Sequence, residues 1–209
     1  MNYVSLVFLI FVVLLISIYY ILPKKRRWYV ILIGNIIFFL SLSGSLIIFL
    51  FLSSLIAFFT ANFIDKYKNK NRMVLILSII LILSFLIVLK YSNFLFSLIN
   101  PIINIIGFNI PYANLIMPIG ISYYTLEMIS YVVDVYRKKI NPEKNFLKLF
   151  TFFSYFPKII EGPISRYSNL KEEIFNEKKF DYENFKSAWV LIGYGFMKKL
   201  IIADRLGIF

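Results

Sequence analysis

The 209-residue sequence contains no histidine and no cysteine. Without cysteine, the chain can form neither a disulfide nor a thiolate nucleophile. Without histidine, it lacks the side chain that most often acts as a general base or as a metal ligand near neutral pH. A mechanism that needs imidazole therefore cannot be completed by these residues alone, and no metal site is expected.

Charged residues are also scarce, at 16% of the chain against 60% hydrophobic residues. A soluble domain is nearer half apolar, and here the excess lies in long uninterrupted runs. The sequence therefore predicts an all-α protein with several transmembrane helices and with short or re-entrant segments. The net charge of +12 comes from basic residues at the ends of apolar runs. Because the positive-inside rule and anionic lipids place them there, we expect the lipid bilayer as a partner and no nucleic acid.

The apolar runs and the residues that interrupt them predict the order of the helices. We expect a single membrane domain over 1–209, with N-terminal helices in 1–91 and a motif-bearing part in 92–209. Basic residues at 24–27 place the end of the first helix in the cytoplasm and the N-terminus outside. The predicted apolar helices are 3–22, 28–40, 45–63, 73–89, 94–106, 115–136, 146–160 and 187–202, with a charged surface helix at 171–186.

Three places in this pattern are expected to depart from a plain spanning helix. A weak point at 41–44 separates the second and third helices. The run 94–106 is too short to span and contains Pro101, so it is predicted to be interfacial or re-entrant. The run 146–160 contains Pro157 and is followed by Gly162-Pro163, which predicts a re-entrant or buried segment.

Glu127, Asp134 and Arg137 are ionisable residues in a predicted membrane helix, where charge is costly and marks functional sites. The helical period places Glu127 and Asp134 about 20° apart. Four further polar residues fall within about 60° of Glu127, namely Tyr123, Ser130, Tyr131 and Lys138. Asp134 and Arg137 are also compatible with a simple polar seam in which Asp134 pairs with Lys138 or Arg137. Glu127 is equally compatible with a cavity wall and with a buried hydrogen bond between helices.

Two later segments also carry polar residues among apolar ones. In 153–167, Gly162-Pro163 breaks a helix and permits close backbone approach, and Glu161 and Arg166 flank the break. This segment fits either an ordinary loop with a surface ion pair or a re-entrant loop that lines a substrate path. In 193–205, Lys198 and Lys199 either extend to the interface or bind lipid headgroups.

Together these segments resemble the membrane-bound O-acyltransferase family, and most closely its alginate-acetylation branch. The resemblance rests on three motifs in the order of that family, which read PIGISYYTLEMISYVVDVYR (118–137), FFSYFPKIIEGPISRY (152–167) and GYGFMKKLIIADRL (193–206). The N-terminal hundred residues match only in hydropathy. Glu127 departs from the pattern, because the alginate branch is expected to carry glutamine there.

The resemblance implies a ring of tilted helices in which an acyl group, expected to be acetyl, crosses the bacterial inner membrane. The donor, acetyl-coenzyme A or a carrier thioester, is a substrate, so no cofactor is expected. The acceptor is an extracytoplasmic polysaccharide hydroxyl, reached directly or through a partner acyltransferase. The family's catalytic histidine lies later in a longer chain, so this chain is expected to be an inactive N-terminal portion with no catalytic residue of its own. The residues expected to form the tunnel wall or its support are Glu127, Asp134, Arg137, Glu161, Gly162, Pro163 and Arg166.

Two other functions stay open from the sequence alone. The related branch of the family transfers D-alanine to teichoic acid from a carrier-protein thioester, and the 122–125 pattern SYYT fits both branches. A non-catalytic membrane scaffold is the alternative if 209 residues is the natural length.

Overall fold

The computed structural model of the protein is helical and shows no strand in the part of the chain that it describes. That part comprises residues 5–67, 72–103, 105, 116–160, 162–176 and 179–206. The predicted all-α class is therefore confirmed. The helices are α1 (Leu6–Ile21), α2 (Arg27–Ser43), α3 (Ile47–Lys66), α4 (Arg72–Leu86), α5 (Ser92–Ile103), α6 (Ile121–Tyr136), α7 (Phe146–Phe153), α8 (Phe156–Ile159), α9 (Tyr167–Phe175), α10 (Tyr182–Met197) and α11 (Asp204–Leu206).

Two helical stretches among the described residues are long and apolar enough to cross a membrane, Lys24–Lys66 and Arg72–Pro101. In the most apolar 18 residues of each stretch, only 22% and 17% are buried inside the protein. The core helix of a soluble protein would be mostly buried, so these helices are typical of membrane proteins.

The chain divides into two compact units, residues 1–27 with 177–209, and residues 28–176. In the first unit, the Ser5 side chain caps α1 by accepting a hydrogen bond from the amide of Phe8 at 3.2 Å. Asp181 caps α10 in the same way, accepting from the amides of Glu183 and Asn184 at 2.9 and 3.3 Å. This cap shows why the predicted surface helix at 171–186 is wrong. Carboxylates satisfy helix N-termini, so a new helix begins after Asp181 and α9 ends before it.

The second unit is built around α3, which packs against α4, α6 and α7. Small buried residues recur along α3 at a spacing of four, at Ser53, Ala57 and Ala61. Small side chains let helix backbones approach closely, which is the usual way in which membrane helices pack. The predicted break between α2 and α3 is confirmed, because Gly44 has a φ of +54° in a 3₁₀ turn between the two helices.

The chain stays helical from Arg72 to Ile103 through a π-turn at Ile87–Tyr91. The predicted gap between the helices 73–89 and 94–106 is therefore absent. The Lys90 ammonium donates a hydrogen bond to Ser122 Oγ at 3.0 Å. Pro101 lies within the last turn of α5, where it interrupts less of the helix than the sequence suggests. Residues 104 and 106 of the predicted segment 94–106 lie outside the described residues.

The helix α6 is shorter than the predicted 115–136, because Pro118 and Gly120 shape its entry and Gly120 takes a φ of +72° at the N-cap. Its other end closes as a Schellman motif in which Lys138 takes the left-handed position, with a φ of +58°. The amides of Lys138 and Lys139 donate to the carbonyls of Val135 and Asp134, both at 2.9 Å. Glycine normally fills that position.

The predicted interruption of 146–160 is confirmed, but it lies before Pro157. The helix α7 ends at Phe153, and Pro157 occupies the first turn of α8. Proline is tolerated there because its missing amide hydrogen would have no helical partner.

Candidate functional site

Glu127 and Asp134 are both buried in the second unit, with 4% and 9% of their surface exposed. The helical period predicted that they share a face of α6, and their burial agrees with that. The other residues of the predicted polar face differ in burial. Tyr131 is buried, whereas Tyr123 and Lys138 are exposed.

The carboxylate of Glu127 forms a buried ion pair with Lys158 of α8, Oε2 to Nζ at 2.9 Å. Lys158 Nζ also lies over the ring of Phe152, 3.5 Å from its centroid. A cation over an aromatic face gains electrostatic stabilisation, most strongly when it is desolvated. Glu127 is the only anionic partner of Lys158 among the described residues.

The other oxygen of Glu127 binds the segment that follows α8. Oε1 accepts a hydrogen bond from the backbone amide of Ser165 at 3.0 Å. One carboxylate thus joins α6, α8 and the 162–166 segment, and it links the first motif to the second. Because one oxygen accepts from the Ser165 amide and the other is paired with the Lys158 ammonium, the arrangement favours bracing over proton abstraction.

Two glycines let the backbone of α8 come close to its neighbours. A Cβ on Gly120 would overlap the carbonyl oxygen of Ile159, and a Cβ on Gly162 would overlap the backbone of Lys158. The amide of Gly162 donates to the Lys158 carbonyl at 2.9 Å. The close backbone approach predicted at Gly162 is therefore present, and Gly120 provides a second one. Both contacts lie at the C-terminal end of α8, next to Lys158.

Asn35 of α2 holds the break between α7 and α8. It is fully buried, and its amide nitrogen donates to the Thr151 carbonyl at 3.0 Å and to Ser154 Oγ at 3.3 Å. Its oxygen accepts from the Phe156 amide at 3.1 Å. A single buried amide thus serves both sides of the break, where helical hydrogen bonds are missing.

A second polar cluster is centred on Glu143, in the connection between α6 and α7. Its Oε2 accepts from the hydroxyl of Tyr167 at 2.6 Å and pairs with Lys171 Nζ at 3.2 Å. Its backbone amide donates to the Tyr131 hydroxyl at 2.9 Å. Partial burial raises the pKa of the Glu143 carboxyl, but hydrogen bonds from Tyr167, the Asn145 amide and Lys171 outweigh it, so the pKa lies below its ordinary value. Burial, and then the neighbouring carboxylate, raise the pKa of the Tyr167 phenol.

Three other predicted site residues are on the surface and not in the buried ion pair. Arg137, Pro163 and Arg166 are exposed. Asp134 makes no ion pair with Arg137 or Lys138 in the described part of the chain, so the pairing that the sequence left open is absent there. The Schellman turn offers a reason, because it changes the backbone direction at Lys138 and removes that residue from the helical i, i+4 position. Glu161 lies outside the described residues.

A cleft lies at the start of α9, and Arg166 is one of the residues that line it. The residues that line it are Ile164, Ser165, Arg166, Asn169, Leu170 and Glu173. Ser165 belongs both to this cleft and to the Glu127 contact. The described residues hold no cluster of acidic side chains suited to a metal ion.

Sequence reasoning missed Lys158, Ser165, Asn35, Gly120 and Glu143. A signal existed for Lys158 and Asn35, since each is polar within an apolar run and such residues seek partners inside the protein. The contact through the Ser165 amide involves no side chain of Ser165, so nothing in its residue type indicated it.

No family model matches the chain, and no solved structure matches it. Curated proteins do match. The Pseudomonas aeruginosa protein named probable alginate O-acetylase AlgI is 37% identical over 134 residues, which is 63% of this chain and 25% of that protein. The protein of that name from Pseudomonas syringae pv. tomato is 35% identical over 136 residues, 64% of this chain and 26% of its own. The Helicobacter pylori peptidoglycan O-acetyltransferase is 28% identical over 162 residues, 65% of this chain and 30% of its own.

The chain spans about a quarter of the length of the alginate O-acetylases that it matches. Its first two motifs meet at the Glu127 carboxylate, and its third lies in the other compact unit. The comparisons confirm the resemblance that the motifs indicate: over the aligned part, the chain is similar to the alginate O-acetylase branch of the membrane-bound O-acyltransferase family.

Proposed function

We propose that the chain is the motif-bearing part of an enzyme that moves an acyl group, acetyl by preference, across the membrane onto a hydroxyl of a cell-envelope polysaccharide. The names of the similar proteins support acetyl transfer to polysaccharides of the cell envelope. The observation that carries the proposal is the contact of Glu127 with both Lys158 and the Ser165 amide. It brings the first two family motifs together around one buried polar group.

The proposed setting is the bacterial inner membrane, with several spans forming part of a helical ring and with the N-terminus outside. The two long apolar helices support the membrane location. Basic residues at 24–27 and at 137–139 lie at the ends of apolar helices, which favours the cytoplasmic side for those ends.

In the proposed reaction, the oxygen of the acceptor hydroxyl attacks the carbonyl carbon of the acyl donor. The bond to the donor's thiol breaks as the new ester forms, and a general base takes the hydroxyl proton. We assign that base to residues beyond this chain, since the sequence holds no histidine. The residues of this chain orient donor and acceptor. Those assigned to the tunnel wall or its support are Glu127, Asp134, Arg137, Glu161, Gly162, Pro163 and Arg166.

The test uses the full-length protein encoded by the gene, in proteoliposomes. Radiolabelled acetyl-coenzyme A or an acetylated carrier protein is supplied on the cytoplasmic side, and a purified envelope polysaccharide on the other. We expect labelled ester on the polysaccharide. No transfer from either donor would contradict the proposed function, and transfer of D-alanine instead would assign the protein to the teichoic-acid branch.

The wall assignment has its own test in the same assay. Glu127→Ala and Glu161→Ala are each expected to reduce acetyl transfer strongly. Glu172→Ala, a change at a surface carboxylate on α9, is the matched control and should leave the rate unchanged. Wild-type transfer by both site variants would overturn the assignment.

A further inference from the structure

The buried ammonium of Lys158 needs an explanation beyond stability. Only 7% of its side chain and 4% of that of Glu127 are exposed. Taking two charges out of water costs several kcal/mol each, and well-packed apolar residues are often at least as stable in such positions. A buried ion pair is therefore better explained when it fixes a particular geometry.

The contacts of Lys158 lead to the cleft at the start of α9. Lys158 holds Oε2 of Glu127, and Oε1 of the same carboxylate holds the Ser165 amide. Ser165 and the next residue, Arg166, both line the cleft. Among the lining residues Arg166 is the only cation, with Glu173 as the only anion. A shift of the Ser165 backbone would therefore move the Arg166 guanidinium directly.

We propose that Lys158 is a positioning residue for the acyl donor. Through the Glu127 carboxylate it fixes the Ser165 amide, and so the Arg166 side chain, which binds a phosphate group of the donor. The inference rests on the proposed function, and it adds a role for a residue that the motifs did not single out. Guanidinium groups bind phosphate in two-pronged geometry, and phosphate is common to coenzyme A and to the phosphopantetheine arm of a carrier protein.

Two double variants separate positioning from simple support of the fold. In E127Q/K158Q, the new carboxamide oxygen at position 127 still accepts from the Ser165 amide, while its nitrogen donates to the carboxamide oxygen at position 158. In E127K/K158E, the ion pair is kept with its charges exchanged, but an ammonium at position 127 cannot accept from the Ser165 amide. The first double variant therefore keeps an acceptor for the Ser165 amide, whereas the second keeps only the ion pair.

The first measurement is the KM for the donor in the full-length protein, with acetyl-coenzyme A and an acetylated carrier protein as separate arms. K158Q alone is expected to raise this KM about tenfold, within the range typical of coupling between sites. The pair E127Q/K158Q should return it close to the wild-type value, whereas E127K/K158E should leave it raised. The arm that shows the change identifies the source of the phosphate. A surface pair provides the control, since D65N/K144Q removes an ion pair with 46% and 67% exposed side chains and should change nothing.

The second measurement is hydrogen exchange of the peptide that contains Ser165, which needs no activity. Exchange should accelerate in K158Q and in E127K/K158E, and be restored in E127Q/K158Q. Equal behaviour of the two double variants in exchange and in KM would reduce Lys158 to a structural residue and overturn the inference. If the wild-type protein transfers no acetyl group, the proposed function fails together with the donor-binding role. The exchange pattern would then show separately whether Lys158 positions the segment.

Discussion

Gly120 and Gly44 form a matched pair for testing how tightly α8 is held. Both have a positive φ, +72° and +54°, so alanine at either position must adopt a left-handed backbone, which costs about 1–2 kcal/mol. They differ in their surroundings. A Cβ at Gly44 meets nothing within 4 Å, whereas one at Gly120 overlaps the backbone oxygen of Ile159.

The difference between the two alanine variants therefore measures the packing of α8 on the start of α6. Overpacking of a close contact costs about 1–3 kcal/mol. We expect Gly44→Ala to cost about 1–2 kcal/mol and Gly120→Ala about 2–5 kcal/mol, which is the sum of the two terms. At about 2–4 °C per kcal/mol, the melting temperature of Gly120→Ala should lie roughly 2–12 °C below that of Gly44→Ala.

The assay is thermal unfolding of the detergent-solubilised full-length protein, followed by tryptophan fluorescence. A third variant, Gly120→Asn, separates the two causes, because asparagine accepts the left-handed conformation but still carries a Cβ. It should remain nearly as unstable as Gly120→Ala. Equal melting temperatures for Gly44→Ala and Gly120→Ala would refute the packing argument. Full recovery in Gly120→Asn would show that the backbone conformation is the whole effect.

Three further predictions concern single residues. Asn35→Leu removes the acceptor of the Phe156 amide and the nitrogen that donates to the Thr151 carbonyl and to Ser154 Oγ. It should cost about 1–3 kcal/mol, measured as a lower melting temperature. Lys138→Gly should raise the melting temperature, because glycine adopts the left-handed backbone conformation of this position without the cost of about 1 kcal/mol that lysine carries. The lowered pKa of Glu143 means that its ionised form stabilises the fold above the unfolded pKa of about 4.3. That contribution is lost as the pH falls through the folded pKa. The wild type should therefore lose more stability than Glu143→Gln as the pH falls from about 5 to the acid limit, and parallel pH–stability curves would contradict this.

Local patterns predicted those parts of the fold that depend on neighbouring residues. The break at Gly44 was predictable because serine and glycine interrupt an apolar run, and the burial of Glu127 because charge avoids lipid. The start of α10 was predictable in principle as well, since Asp181 is a strong N-cap residue. The charges of 171–186 alone predict one helix, because their pattern contains no information about this cap.

The partner of Glu127 could not be predicted in the same way. Lys158 lies on a different element, and the close approach of Ile159 to Gly120 packs α8 against the start of α6, which carries Glu127. The hydrogen bond of Lys90 to Ser122 on α6 likewise joins two separate elements. Such contacts depend on tertiary geometry that a periodicity does not contain.

The Asn35 amide has a consequence for biosynthesis. Its partners Thr151 and Ser154 lie 116 and 119 residues later in the chain. At about 5–20 residues per second, translation of that interval takes roughly 6–24 s. During that time α2 carries a polar amide for which those partners do not yet exist. The contacts that Asn35 makes with α7 and α8 therefore form only after those helices are synthesised, so the packing of this unit is completed late in synthesis.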